Sequence, residues 1–151
     1  MSEHDVVDQA TFGAGCFWGA QASFNALPGV LDSRVGFARS SKGDSPLIEV
    51  VQVDFDAQVI SFNQLVAHFW TLHDPTSVDR QGADIGVKYR SAVFFSTAQQ
   101  AQLALVAKQK LDASGQLGKP VATVIVPLAE FQLADEAHQN YLEKHGGSCS
   151  I

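Results

Sequence analysis

The residues best suited to covalent chemistry stand together in Gly13-Ala14-Gly15-Cys16-Phe17-Trp18-Gly19. A short apolar run, Ala10-Thr11-Phe12, reads as a strand, and glycines follow it at once. Beyond the cysteine, Phe17, Ala20, Phe24 and Leu27 recur at helical spacing with polar residues between them. Cys16 is therefore expected where a strand turns into a helix. Unpaired N–H groups and the positive end of the helix dipole favour a thiolate at such a corner, and the thiolate is the nucleophilic form of cysteine. Gly13 and Gly15 remove Cβ atoms beside the sulfur and let a substrate or main chain come close. Phe17 and Trp18 add large apolar surface. The competing reading is a buried structural cysteine, because cysteine packs as a small hydrophobe. A dinucleotide-binding loop does not fit, since G-x-G-x-x-x-G is one residue longer than that fingerprint.

The second cysteine, Cys149, lies at the other end of the chain on a Gly146-Gly147-Ser148 tether. In a reducing compartment two such thiols suit redox chemistry better than a permanent crosslink. Without a Cys-x-x-Cys pair, and with five scattered histidines, the sequence offers no zinc site. Glu49 falls on the apolar face of an alternating run, where desolvation would raise its pKa and keep it protonated near neutral pH. It is the candidate proton donor; the alternative is a strand-end glutamate that reaches water. Asp84 and Tyr89 flank the turn from a polar stretch into a strand, where each also has an ordinary role, as a loop residue and a core aromatic. His73 and Asp74 read as a helix end, and His138 and Tyr141 as packing residues on a last helix.

Several elements must position these groups. Val30 to Phe37 reads as a strand after the Pro28-Gly29 turn, and Ala38 to Pro46 as a loop. Leu47 to Phe55 is a strand whose alternation puts Leu47, Glu49, Val51, Val53 and Phe55 on one face. A helix runs from Ser61 to His73-Asp74-Pro75, where proline stops it. Thr76 to Lys88 is a connection long enough to suggest function, and a strand follows from Tyr89 to Phe95. Thr97 and Gln100 resemble a capping box that opens a helix to Ser114, with Gly115 at its end. Val121 to Leu128 reads as a strand and Asp135 to His145 as a final helix, with a mobile tail over about 145–151. The order predicts a single α+β domain over residues 1–151, a two-layer sandwich with helices packed on a mixed sheet.

Ten Lys and Arg against sixteen Asp and Glu give a net charge of −6, which argues against nucleic acid and anionic membrane surfaces as partners. No apolar run approaches the length that spans a bilayer. Met1-Ser2-Glu3-His4-Asp5 lacks the features of a secretory signal, so a cytoplasmic location is the default expectation.

Taken together, five stretches resemble the A-type peptide methionine sulfoxide reductases. They are Gly13 to Gly19, His73-Asp74-Pro75, Arg80-Gln81-Gly82-Ala83-Asp84-Ile85-Gly86, Tyr89-Arg90-Ser91-Ala92 and His138-Gln139-Asn140-Tyr141-Leu142, in family order from about residue 10 to the C-terminus. The resemblance implies a ferredoxin-like core and reduction of methionine-S-sulfoxide, free or in proteins, without a cofactor. It implies Cys16 as nucleophile, Phe17 and Trp18 around the substrate methyl group, and Glu49, Asp84 and Tyr89 at the sulfoxide oxygen. It further implies Cys149 as the thiol that condenses with a Cys16 sulfenic acid, and thioredoxin as the reductant of the resulting disulfide. The chain departs from the family over Arg39 to Ile48, which is short and holds neither the usual tyrosine nor the usual Gly-His pair, and at Phe131-Gln132, where an aromatic pair is common. A thiol module for redox sensing or partner binding is the alternative this departure leaves open. A thiol peroxidase would need a basic residue beside Cys16, and none is near in sequence.

Overall fold

The computed structural model describes residues 7–41 and 45–141. Its centre is made by the β-branched and aromatic runs that alternate in the sequence. Strands β1 (Val7–Gly13), β2 (Val30–Arg39), β3 (Ile48–Asp56) and β6 (Ala92–Phe95) pair antiparallel in the order β6-β1-β3-β2. Helices α1 (Phe17–Asn25) and α2 (Phe62–Thr71) follow β1 and β3. A two-residue pair, β4 (Arg80–Gln81) and β5 (Asp84–Ile85), forms a separate hairpin. Helix α3 (Ala98–Ser114) leads to β7 (Val124–Pro127), which joins β6 in parallel, and β8 (Glu130–Leu133) closes the opposite edge against β2. The sheet is therefore mixed and six-stranded, with helices packed on it, as the α+β sandwich expectation requires.

Alternation along the strands divides the interior in two. On the helical face, the ring of Phe12 stacks with Phe24 and Phe69 at 5.2 Å each and with Phe62 at 6.1 Å. Val51, Val53 and Phe55 fill the same core. On the other face, Ile48, Val50 and Phe94 pack with Val124 of β7 and Phe131 of β8. Residues from both sheet edges share that second core, so the sheet curls around it. Phe131, the aromatic member of the Phe131-Gln132 pair noted in sequence, belongs there: its ring lies over Gly36, where a Cβ would come within 2.8 Å of it.

Several elements differ from the sequence reading, and β2 runs on to Arg39, into the stretch read as a loop. The strand expected over Tyr89–Phe95 begins only at Ala92, because Val87–Tyr89 winds into a 3-10 turn. The Val121–Leu128 strand shortens to β7, and β8 and the β4–β5 hairpin were not anticipated. The final helix is replaced, in its described part, by a 3-10 turn over Glu136–His138. Asn140 takes φ 55°, and the Gln139 amide is spent bridging the Val35 N–H, the Val35 carbonyl and the Ala134 carbonyl. That tie to β2 outcompetes a continued helix. Cys149 and the expected tail lie outside the described residues.

The helix termini carry their own signals. Ser61 and Gln64 form a reciprocal capping box on α2. At α3, Thr97 accepts from the Gln100 N–H, but the Gln100 side chain accepts from Ser96 N–H and donates to the Gln9 carbonyl, stitching the helix to β1. Just past α2, the His73 ring bonds the Phe69 carbonyl through Nδ1 at 3.0 Å and the Ser91 hydroxyl through Nε2 at 2.6 Å. Ser91 in turn meets Thr123 Oγ1 at 2.6 Å. A carbonyl only accepts, so Nδ1 donates and Nε2 is the acceptor of a neutral ring. Burial pushes the His73 pKa down to about 4. Below an unfolded value near 6.5, the unfolded chain takes up this proton before the folded one, so stability is lost as pH falls from about 6.5 to about 4. Unfolding free energies from urea titrations across that window should fall, by about 3 kcal/mol at most, and His73→Gln should remove this component of the slope.

Candidate active site

Cys16 is the residue that caps the N-terminus of α1. Its backbone is extended (φ −61°, ψ 124°) and the helix starts at Phe17, so the strand-to-helix corner exists as expected. Gly15 before it takes φ +86°, a conformation that suits glycine, and a Cβ there would meet Gln81 Cγ at 2.8 Å. A Cβ on Gly13 would lie 3.0 Å from the Arg90 carbonyl. The close approach that these glycines permit is thus made by the protein's own β4–β6 segment.

Strand β3 delivers Glu49 to the same corner. Its side chain is buried, only 9% exposed, which sets aside the solvent-reaching alternative. Oε1 accepts the N–H of Phe17, the first residue of α1, at 3.3 Å. Oε2 lies 3.9 Å from Lys88 Nζ. Burial raises the pKa of Glu49 above the ordinary carboxyl range; the Phe17 N–H and the charge of Lys88 pull against that, and Asp84 adds to it.

Asp84 and Tyr89 arrive on a braced loop. Arg90 donates two hydrogen bonds to the Asp79 carboxylate, at 2.7 and 3.1 Å, and Gly86 N–H bonds the Asp79 carbonyl. Gln81 reaches back to the backbone of Asp74, accepting from its N–H and donating to its carbonyl at 2.9 Å each. The loop is thereby pinned between the end of α2 and the start of β6.

Cys16, Phe17, Trp18, Glu49, Asp84 and Tyr89 line one cavity of about 330 Å³, together with Phe37, Lys88 and His138. Sequence reasoning passed over the last three. Phe37 pairs directly with Glu49 across β2 and β3, and its ring lies 5.6 Å from that of Phe17; alternation along β2 was the available signal. His138, read as a packing residue, accepts from Trp18 Nε1 at 3.2 Å and borders the cavity. Tyr141 stacks on Trp18 at 3.9 Å between ring centres. Gln21 and Asn25 of α1 bond Asn140, so the segment that carries these two side chains is tied to the helix that follows Cys16. No basic residue is near Cys16 in sequence, but Lys88 and His138, from distant parts of the chain, line the same cavity. Among the described residues, no cluster of three or more His, Cys, Asp or Glu side chains is fit to hold a metal ion, and no helix is long and apolar enough to cross a membrane.

A carboxyl whose pKa rises on folding ionises first in the unfolded chain as pH rises, so Glu49 lowers stability at pH values above the ordinary carboxyl range. Glu49→Gln should therefore be more stable than the wild-type chain at pH 8, with the difference closing near pH 4; urea midpoints at both values check this, and a less stable variant at pH 8 would contradict it.

Comparison with known proteins agrees with this geometry. The family model of peptide methionine sulfoxide reductase matches residues 8–151. The chain is 40% identical to a peptide methionine sulfoxide reductase MsrA of Methanoculleus marisnigri, covering 97% of this chain and 96% of that protein. It is 43% identical to the MsrA of Acidobacterium capsulatum, covering 95% and 99%. The first of these alignments runs over 157 positions, more than the 151 residues here, so that relative holds residues with no counterpart in this chain. Among solved structures, methionine sulfoxide reductase A of Corynebacterium diphtheriae superposes with a TM-score of 0.81 at 35% identity, covering 95% of this chain and 78% of that one. Reduced Mxr1 of Saccharomyces cerevisiae gives 0.88 at 28% identity, covering 99% and 91%. This chain belongs to the peptide methionine sulfoxide reductase family.

Proposed function

We propose that this chain is a single-domain reductase of methionine-S-sulfoxide, free or within proteins, working through the thiols of Cys16 and Cys149. The observation that carries the reading is that Cys16 and Glu49 line one cavity, with Glu49 buried and bonded to the N–H next to the cysteine. A sulfoxide oxygen leaves only when protonated. Glu49, whose burial favours the protonated form, supplies that proton while Cys16 attacks the substrate sulfur. The S–O bond breaks as an S–S bond forms, giving a sulfonium joined to Cys16 and a released hydroxide; the hydroxide then attacks the Cys16 sulfur, the S–S bond breaks and the thioether departs, leaving Cys16 as a sulfenic acid, its sulfur oxidised by two electrons and the substrate sulfur reduced by two. Asp84 and Tyr89 contribute polar contacts to the oxygen, and Phe17 and Trp18 enclose the methyl group.

Cys149 then displaces hydroxide from the sulfenic acid, releasing water and forming a Cys16–Cys149 disulfide, which thioredoxin reopens by thiol exchange. Chain length supports this step. Tyr141 packs on Trp18 beside the cavity, and about eight further residues reach Cys149, a span of up to roughly 28 Å. We place this cycle in the cytoplasm, with no cofactor. The short β2–β3 connection favours, as a second reading, a thiol module that senses oxidants and binds sulfoxides poorly.

Incubation with each epimer of a methionine sulfoxide substrate and dithiothreitol separates the two readings: the reductase consumes only the S form, whereas absent turnover with Cys16 still readily oxidised supports the sensor. Cys149→Ser should retain a single stoichiometric turnover and lose recycling by thioredoxin; undiminished thioredoxin-driven turnover would remove Cys149 from the cycle.

A further inference from the structure

Lys88 stands at the mouth of the cavity on the Val87–Tyr89 turn, with its side chain 54% exposed. Its ammonium lies 3.9 Å from Glu49 Oε2 and 5.1 Å from the centre of the Tyr89 ring. Glu49 faces groups from every neighbouring element: Cys16 and the Phe17 N–H at the start of α1, Asp84 from β5, Tyr89 on the same turn as Lys88, and His138 from the C-terminal turn. Among the described residues, Lys88 is the one permanent cation within ion-pair reach of this carboxyl.

We propose that Lys88 is a positioning residue for Glu49: its ammonium, held on the solvent side of the carboxyl, sets the pH at which that acid gives up its proton and hence the upper pH limit of turnover. The proposal rests on the reductase reading above. Burial holds the proton on Glu49, and an acid that holds its proton too firmly donates it poorly. The ammonium offsets burial by stabilising the carboxylate left after transfer. Tyr89 steers the lysine, since a cation lodged over an aromatic face is restrained there. Because Lys88 is largely in water, its influence is screened by salt, whereas the effect of burial is not.

The test uses the full chain and follows the Glu49 carboxyl carbon by NMR. In Lys88→Met the Glu49 titration should move up by roughly half a pH unit, the scale expected for losing one charge about 4 Å away in a largely aqueous setting. The alkaline limb of kcat/KM for methionine-S-sulfoxide should move up with it. Lys88→Arg, which keeps the charge, should leave both close to wild type. Salt at about 1 M should carry the wild-type titration toward that of Lys88→Met and leave that variant where it is. A Glu49 titration unmoved in Lys88→Met, or one that moves while the limb of an active enzyme stays, overturns the proposal. The titration needs no turnover, so a wild-type chain inert toward the S epimer would count against the reductase reading and leave this coupling to be judged by the NMR result.

Discussion

The hydrogen bond from the Phe17 N–H to Glu49 is the contact on which the arrangement of the cavity depends. A helix N-terminus leaves backbone donors unsatisfied, and a buried carboxyl needs a partner of its own. Joining them meets both needs at once and fixes the distance between β3 and the corner that holds Cys16. It also gives the carboxyl a direction. Oε1 is committed to the helix, so Oε2 faces Lys88 and the cavity mouth. The register of β2 on β3 then puts Phe37 opposite Glu49, and the aromatic wall of Phe17 and Phe37 excludes water from the acid.

A second set of constraints holds the polar wall. Residues 78–90 hold only two two-residue strands and one 3-10 turn, and their exposed apolar side chains, Val78 and Ile85, offer no core to anchor them. Polar bonds substitute for packing. The Asp79–Arg90 pair closes the loop on itself, and its bidentate geometry specifies one arrangement of the two ends. Gln81 ties the loop to Asp74, while the His73–Ser91–Thr123 chain ties the end of α2 to β6 and the approach to β7. Gly15 and Gly13 let this segment lie directly against the cysteine corner. Any side chain at Gly15 would push on Gln81, so the two halves of the cavity depend on each other sterically as well as electrostatically.

The third wall comes from the far end of the described chain. Gln139, 9% exposed, acts as a substitute strand neighbour for Val35, and Asn140 locks onto Gln21 and Asn25. These contacts set His138 against Trp18 and Tyr141 over its ring. The family resemblance had grouped His138 to Leu142 as one motif. In its described part, Gln139 and Asn140 form a strap across α1 and β2 built from side-chain amide bonds.

Local pattern in the sequence was enough to locate the cysteine corner, both longer helices, the Thr97 cap of α3, and the alternation that buries Glu49, because each depends on residues within a few positions of one another. The order of elements was enough for an α+β sandwich. What the sequence left open was set by contacts between distant segments. The first part of the expected final helix gave way to a 3-10 turn because Gln139 bonds β2, and the strand at Tyr89 began late because its first residues serve the cavity. Phe37, Lys88 and His138 join Glu49 only through strand register and loop closure, which no local periodicity encodes. Burial of a carboxyl beside a thiol and near one exposed ammonium is a property of three dimensions: the sequence supplied the groups, and tertiary structure decided which of them share low-dielectric space.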